Sequence, residues 1–349
     1  MTYSSKLTGL GLDYFFQQQL LDDVSAALVP VRIMNVHRSG LQLAGDEFDR
    51  QLGLTGNDHK LDLTVGDWAL YDPDAQRLLR RLDRKSLFKR RAPGTESREQ
   101  LIAANVDTLF IVSSCNRDFN EARLERYLAI ARAAQVQVVI VLTKADLTDD
   151  PGEFIHKAAR LAPAVQVEAV NALQSGTLEG LQPWLQCGQT IALLGSSGVG
   201  KSTLTNTLLG FQEITTQAIR ESDARGRHTT TSRSMHQLPS GAWLLDTPGM
   251  RELQLTDVKT GLDDVFAEIS ALAELCRFSD CEHADEPGCR VKQAIEAGEI
   301  EQARMDRWRK LTREEAHNRT SIAERRARDK TFGRMCKHVI SEKKSRRQP

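Results

Sequence analysis

The sequence predicts an α/β protein: a parallel, doubly wound sheet preceded by a small β-barrel and followed by a helical C-terminal domain. Three observations lead there. Apolar runs at 107–113, 136–142, 165–170 and 191–194 alternate with helical patterns, as buried parallel strands and their crossover helices do. Short β-type runs punctuated by glycine fill residues 31–82, at the spacing of a five-stranded OB-type barrel. Beyond about residue 256 the strand pattern stops, and helical sequence is interrupted by a cysteine cluster.

Residues 1–29 show no clear core pattern, although Phe15, Phe16, Leu20 and Leu21 fit one short amphipathic helix. Expected barrel strands follow at 31–36, 41–43, 61–65, 68–71 and 78–82, separated by Gly40, Gly45, Gly53, Gly56 and Gly66. Pro93, Gly94 and Thr95 mark the exit from this unit. Helices are expected over 121–135, 154–161 and 178–185, and from Lys201 onward. The expected domains are therefore 1–96, with the barrel core from about 30, then 97–255 for the α/β sheet, then 256–349.

The chain has 349 residues, 40% of them hydrophobic and 27% charged. It contains no run of about 18 apolar residues, so no membrane partner is expected. Nor does it open with the basic-then-apolar pattern of a secretory signal, so a cytoplasmic location is the default; a monomer is expected. The zero net charge hides an asymmetry. Residues 304–349 hold about 16 Lys or Arg against about 6 Asp or Glu, roughly +10, which the rest of the chain balances. A second basic stretch runs from Arg77 to Arg98. Either stretch alone fits a solvated surface equally well; the two together favour an RNA partner.

Residues Gly195, Ser196, Ser197, Gly198, Val199, Gly200, Lys201 and Ser202 match the phosphate-binding G-x-x-x-x-G-K-[ST] loop, between an expected strand and a helix that continues through Thr203. Its amides and helix dipole suit phosphate oxygens. Lys201 is placed to reach the β- and γ-phosphates, and Ser202 to hold Mg2+. Asp246, Thr247, Pro248 and Gly249 form a D-x-x-G sequence after another expected strand. Its carboxylate suits Mg2+ and its glycine amide suits a γ-phosphate. Thr143, Lys144, Ala145 and Asp146 follow the strand at 136–142. A buried carboxylate there accepts the guanine N1–H and amino group, donors that adenine lacks. Threonine at 143, where asparagine is usual, is expected to be a weaker lock on the phosphate loop. Asn171 and Ala172 are placed to offer an amide to guanine O6. Among Thr229, Thr230 and Thr231, the choice for completing the Mg2+ shell is Thr230. Met250 cannot orient water, so slow intrinsic hydrolysis and activation by a partner are expected. His228 is the nearest candidate for that task; a plain surface histidine is the alternative.

The base motif precedes the phosphate loop, a permuted order that a sheet tolerates when the original termini lie close together. The segment after Gly249 then leads straight toward the C-terminal domain. There Cys276, Cys281, His283 and Cys289 offer three thiolates and one imidazole, a closed set suited to structural Zn2+. Reduced cysteines packed as small hydrophobes are the alternative.

Together these residues resemble the ribosome-small-subunit-dependent GTPase A family (RsgA, also called YjeQ or EngC). The likeness includes Val65-Gly66-Asp67-Trp68, Ala103-Ala104-Asn105-Val106-Asp107 and the permuted motif order with its Cys-Cys-His-Cys set. It implies a circularly permuted P-loop GTPase domain between an OB-fold barrel and a zinc-binding helical domain. It also implies a late factor in small-subunit maturation that binds rRNA, is activated by that particle, and cycles between GTP and GDP with Mg2+. Two other readings are open: a GTP-dependent switch on another RNA, and a zinc-stapled interaction module with a degenerate nucleotide site.

Overall fold

The ends of the parallel strands, where chemistry is expected, are set by how thirteen strands and nine helices are arranged among the described residues. The computed structural model describes residues 4–21, 28–37, 40–53, 61–91, 99–210, 233–246 and 258–319. Outside them lie His228, Thr229, Thr230, Thr231, Gly249, Met250, the Pro93-Gly94-Thr95 exit, Cys336 and the basic tail from 320.

Helices α1 (Ser5–Gly9) and α2 (Tyr14–Gln19) precede strands β1 (Val29–His37), β2 (Gly40–Ala44), β3 (Asp49–Gly53), β4 (Trp68–Asp72) and β5 (Arg77–Arg81). These five strands are antiparallel, with β1 pairing both β2 and β4. Alternate residues Val31, Ile33, Leu41, Leu43, Ala69 and Tyr71 point into one buried cluster. Such alternation is what a half-buried antiparallel sheet demands.

The expected strand at 61–65 is instead irregular chain that ends in a turn at Thr64–Asp67. The Asp67 carboxylate accepts from the Thr64 amide at 2.7 Å, and the Gly66 amide donates to Ile33 O. The short Asp side chain closes the backbone locally and outcompetes a ladder. The N-terminal segment also differs from expectation. Leu7, Leu10, Leu12 and Phe16 are buried, whereas Phe15 is exposed. The fully buried Arg32 holds this segment by donating to Leu10 O, and to Thr190 Oγ1 at 2.7 Å. Burial lowers the Arg32 pKa to about 10, against the pull of Asp107, Asp13 and Asp67. Trp243 Nε1 adds a hydrogen bond to Gly9 O.

A separate antiparallel ribbon, β6 (Leu87–Arg91) with β7 (Glu99–Ala104), leads into the α/β region. There follow β8 (Thr108–Ser114), α3 (Glu121–Ala133), β9 (Gln137–Thr143), α4 (Pro151–Leu161), β10 (Gln166–Ala169), a 3-10 helix (Ser175–Trp184), β11 (Thr190–Gly195), α5 (Lys201–Leu208), β12 (Arg233–Gln237) and β13 (Trp243–Asp246). Strands pair in the order β10-β9-β8-β11-β13, all parallel, and β12 joins β13 antiparallel. Successive β8 side chains fall in different cores: Leu109 and Ile111 on one face, Phe110 and Val112 on the other. Two residue pairs between β12 and β1 continue this sheet into the N-terminal strands.

Helices α6 (Lys259–Val265), α7 (Ala267–Glu274), α8 (Arg290–Glu296) and α9 (Gln302–Arg319) complete the chain. Helix α6 lies close on α3: a Cβ at Gly261 would sit 2.1 Å from Ala129 O. The Glu125 carboxylate of α3, with no exposure, is paired to Arg304 at 2.7 Å and Arg307 at 2.8 Å, both on α9. No helix among the described residues is long and apolar enough to cross a membrane.

Candidate functional site

Four predicted motifs come together at the carboxyl edge of the parallel strands. The phosphate-loop sequence leaves β11, the Thr143–Asp146 sequence leaves β9, and Asn171 and Ala172 follow β10. Asp246 ends β13, although its side chain lies outside the described residues. Ligands of open parallel sheets bind at this edge, where successive connections diverge. Here β8, β9 and β10 run to one side and β11 returns to the other side of β8.

Gly195 must lack a side chain, because a Cβ there would lie 2.3 Å from Val112 O on β8. Gly200 stands at φ +95 as the N-cap of α5, a left-handed conformation that favours glycine. Ser197 and Gly198 form the exposed tip, and Val199 is buried beneath it. The Lys201 ammonium is buried in the loop and donates to Gly195 O at 2.7 Å and to Ser196 O. Ser202 and Thr203 are half-buried in the first turn of α5.

On the base side, Lys144 adopts φ +57 and pairs with Asp118 at 3.9 Å. Asp146 is exposed in the 3-10 turn Ala145–Leu147. Asn171 Oδ1 accepts from the Leu173 amide at 3.0 Å, which shapes its loop. Ala172 O accepts from Thr207 Oγ1 of α5 at 2.6 Å, joining the base loop to the phosphate-loop helix. Thr143 is buried, and its hydroxyl meets both Ser113 O and Val199 O. The lock on the phosphate loop is present, but one hydroxyl proton is shared between two carbonyls, where an amide would offer two protons.

A second constellation lies in the C-terminal helices. Ligand atoms of Cys276, Cys281, His283 and Cys289 lie within 4.8 Å of one another. His283 Nδ1 is 3.5 Å from the sulfurs of both Cys276 and Cys289, and those sulfurs are 3.9 Å apart. Tetrahedral bonds of about 2.3 Å to sulfur and about 2.0 Å to nitrogen require separations of about 3.8 Å and about 3.5 Å. Cys276, His283 and Cys289 already stand at these separations, and Cys281 lies within 4.8 Å of them, so the set can close on a metal with a small inward movement. Backbone amides of Arg290 and Lys292 donate to Cys276 Sγ and Cys289 Sγ at 3.4 and 3.3 Å. Burial acts to raise the Cys276 pKa, but amide hydrogen bonds outweigh it and hold the thiol below its ordinary value. Burial and then Arg309 lower the pKa of His283, favouring the neutral imidazole that binds metals. The ring packs against Trp308, with centroids 5.7 Å apart.

Known proteins share this architecture. The structure of YjeQ from Thermotoga maritima matches with a TM-score of 0.60 at 24% identity, covering 81% of this chain and 97% of that one. That of YloQ, described as a circularly permuted GTPase, matches with a TM-score of 0.58 at 23% identity, covering 85% and 98%. At those identities the likeness establishes the fold. The model of the family described as RsgA GTPase matches residues 81–256. A Vibrio parahaemolyticus protein named small ribosomal subunit biogenesis GTPase RsgA 2 is 50% identical over 99% of this chain and 96% of its own. The chain belongs to the RsgA GTPase family. A Mesorhizobium japonicum protein named small ribosomal subunit biogenesis GTPase RsgA, 49% identical over 90% of this chain and 91% of its own, agrees.

Within this RsgA-family chain, several site neighbours carry no motif of their own. Asp118 faces Lys144, Thr207 reaches Ala172, and Arg123 and Tyr127 reach Ser196. No local spacing signals them, because each contact is made across the sheet edge. Thr143→Val keeps the shape and removes the hydroxyl that meets the Ser113 and Val199 carbonyls. It is expected to destabilise this RsgA-family protein by about 1–3 kcal/mol, read as a shift in the denaturant midpoint at constant slope.

Proposed function

We propose that this protein is a small ribosomal subunit biogenesis GTPase whose GTP lies across the carboxyl edge of the parallel strands. One observation carries the reading: phosphate loop, base motif and Asp246 strand end converge on that edge in permuted chain order. A chance match to any one motif would not bring its partners to the same edge.

In this reading the amides of Gly195, Ser196, Ser197, Gly198, Val199, Gly200, Ser202 and Thr203 surround the phosphates. Lys201 leaves the loop carbonyls for the β- and γ-oxygens, replacing one set of acceptors by another of higher charge. Asp146 selects guanine, Lys144 lies along the base, and Ala172 with Asn171 bounds O6. Thr143 holds the base strand against the phosphate loop. Ser202, Thr230 and Asp246 would hold Mg2+, whose charge offsets that of the phosphate oxygens. Gly249 senses the γ-phosphate, and His228 positions water. The four-ligand cluster of Cys276, Cys281, His283 and Cys289 would hold structural Zn2+, with no open coordination position for catalysis.

The division into units at 1–96, 97–255 and 256–349 belongs to the same proposal. The two basic stretches supply contacts to the rRNA of the small subunit, and that particle completes the catalytic arrangement and accelerates turnover. The protein works as a cytoplasmic monomer.

GTP turnover measured with and without purified small ribosomal subunits is expected to rise about tenfold or more on their addition; an unchanged rate would favour a switch on another RNA. Asp146→Asn is expected to move preference from GTP toward xanthosine triphosphate by about a hundredfold, and competition binding checks it. Metal analysis is expected to find about one zinc per chain, lost in Cys281→Ala together with the fold of the C-terminal helices. A folded, metal-free protein would remove that assignment.

A further inference from the structure

Helix α3 touches the phosphate loop with one face and the C-terminal helices with the other. Its N-cap, Asn120, accepts from the Arg123 amide at 3.0 Å and fixes where the first turn begins. Arg123 Nη1 donates to Ser196 Oγ at 3.3 Å, and Tyr127 OH lies 3.3 Å from the same oxygen. Spaced four apart, these residues share one face of the helix. Ser196 is the first residue after Gly195, and its carbonyl accepts from Lys201. One residue of the phosphate loop is therefore held from outside by α3 and from inside by the ammonium.

The back of α3 is anchored. Glu121 and Glu125 are turned about 200° from Arg123 and Tyr127, at 100° per residue over two residues. Glu125 is buried between Arg304 and Arg307, Glu121 pairs with Arg307 at 3.2 Å, and Arg126 pairs with Glu314. Gly261 lets α6 approach the Ala129 carbonyl directly. A side chain can place a reacting group only if it is itself held, and these contacts hold the helix that carries Arg123 and Tyr127.

We propose that Arg123 and Tyr127 are positioning residues for GTP hydrolysis, acting through the Ser196 hydroxyl to hold the phosphate loop in its productive shape. This rests on the GTPase reading above. Arg123 is exposed, and its guanidinium reaches Ser196, so its loss removes a restraint on the loop without opening a core. A loop misplaced by about 1 Å slows transfer far more than it weakens ground-state binding, because alignment matters most in the transition state.

The test is GTP hydrolysis by the full-length protein on saturating small subunits, with KM for GTP and the melting temperature measured alongside. Arg123→Ala and Ser196→Ala are each expected to lower kcat about tenfold and to move KM by less than about threefold. The melting temperature should stay at the wild-type value, and Arg123→Lys should recover most of the rate. Because both act on one contact, the double variant is expected to be no slower than the slower single. Wild-type kcat in Arg123→Ala overturns the proposal. So does a double-variant loss equal to the product of the singles, or a rate loss matched by a fall in melting temperature that lysine does not repair. Failure of the GTPase reading would look different: the wild-type protein itself would not turn over GTP, and this inference would fall with it.

Discussion

The parallel pairing of β8 with β11 is the contact on which the rest of the site depends. It joins 108–112 to 191–195 in register and closes the permuted sheet. Gly195 makes it possible at the critical end, since any side chain there would strike the Val112 carbonyl. Once β11 is seated, the loop that follows emerges beside the ends of β8, β9 and β13, and the helix dipole of α5 points at the edge. A chain opened at another point in the same sheet reaches the same arrangement, because ladder hydrogen bonds record neighbours in space and not their order in sequence.

Coupling across the edge is carried by short polar side chains. Thr143 spans from β8 to the phosphate loop, and Thr207 reaches from α5 to the base loop at Ala172. Both hydroxyls bond backbone carbonyls, so each fixes main chain to main chain with little side-chain entropy at stake. The phosphate-loop and Thr143–Asp146 segments are thus joined to each other at the same sheet edge. At the opposite end of the same strands, buried Arg32 and Thr190 and half-buried Asp107 and Lys85 form a polar chain that seats the N-terminal segment.

The C-terminal helices are secured by two different means. Toward the sheet, buried charge does it: Glu125 satisfies two arginines of α9. Such pairing contributes modestly to stability but penalises every misaligned arrangement, since a displaced helix would strand an unpaired charge. Within the helices, Cys276, Cys281 and His283 gather on Cys289 at the start of α8, beside a core of Val291, Ala294, Ile300, Met305 and Leu311.

What the sequence by itself determined were features whose chemistry is local. Eight consecutive residues from Gly195 to Ser202, four from Thr143 to Asp146 and four metal-type ligands within 276–289 are recognisable through their spacing. The continuous apolar runs of β8, β9 and β11 announce strands buried on both faces. Tertiary structure alone decided the rest. The segment at 61–65 reads as a strand until Asp67 closes its end into a turn, and polar β12 earns its place only by bridging β13 and β1. Leu7, Leu10 and Leu12 gain a core through Arg32, whose partner Thr190 lies far along the chain. Arg123 to Ser196, and Glu125 to Arg304, likewise join distant residues. A hydrogen bond or ion pair depends on separations of a few ångströms in space, and for residues far apart in sequence those separations exist only once the chain has folded.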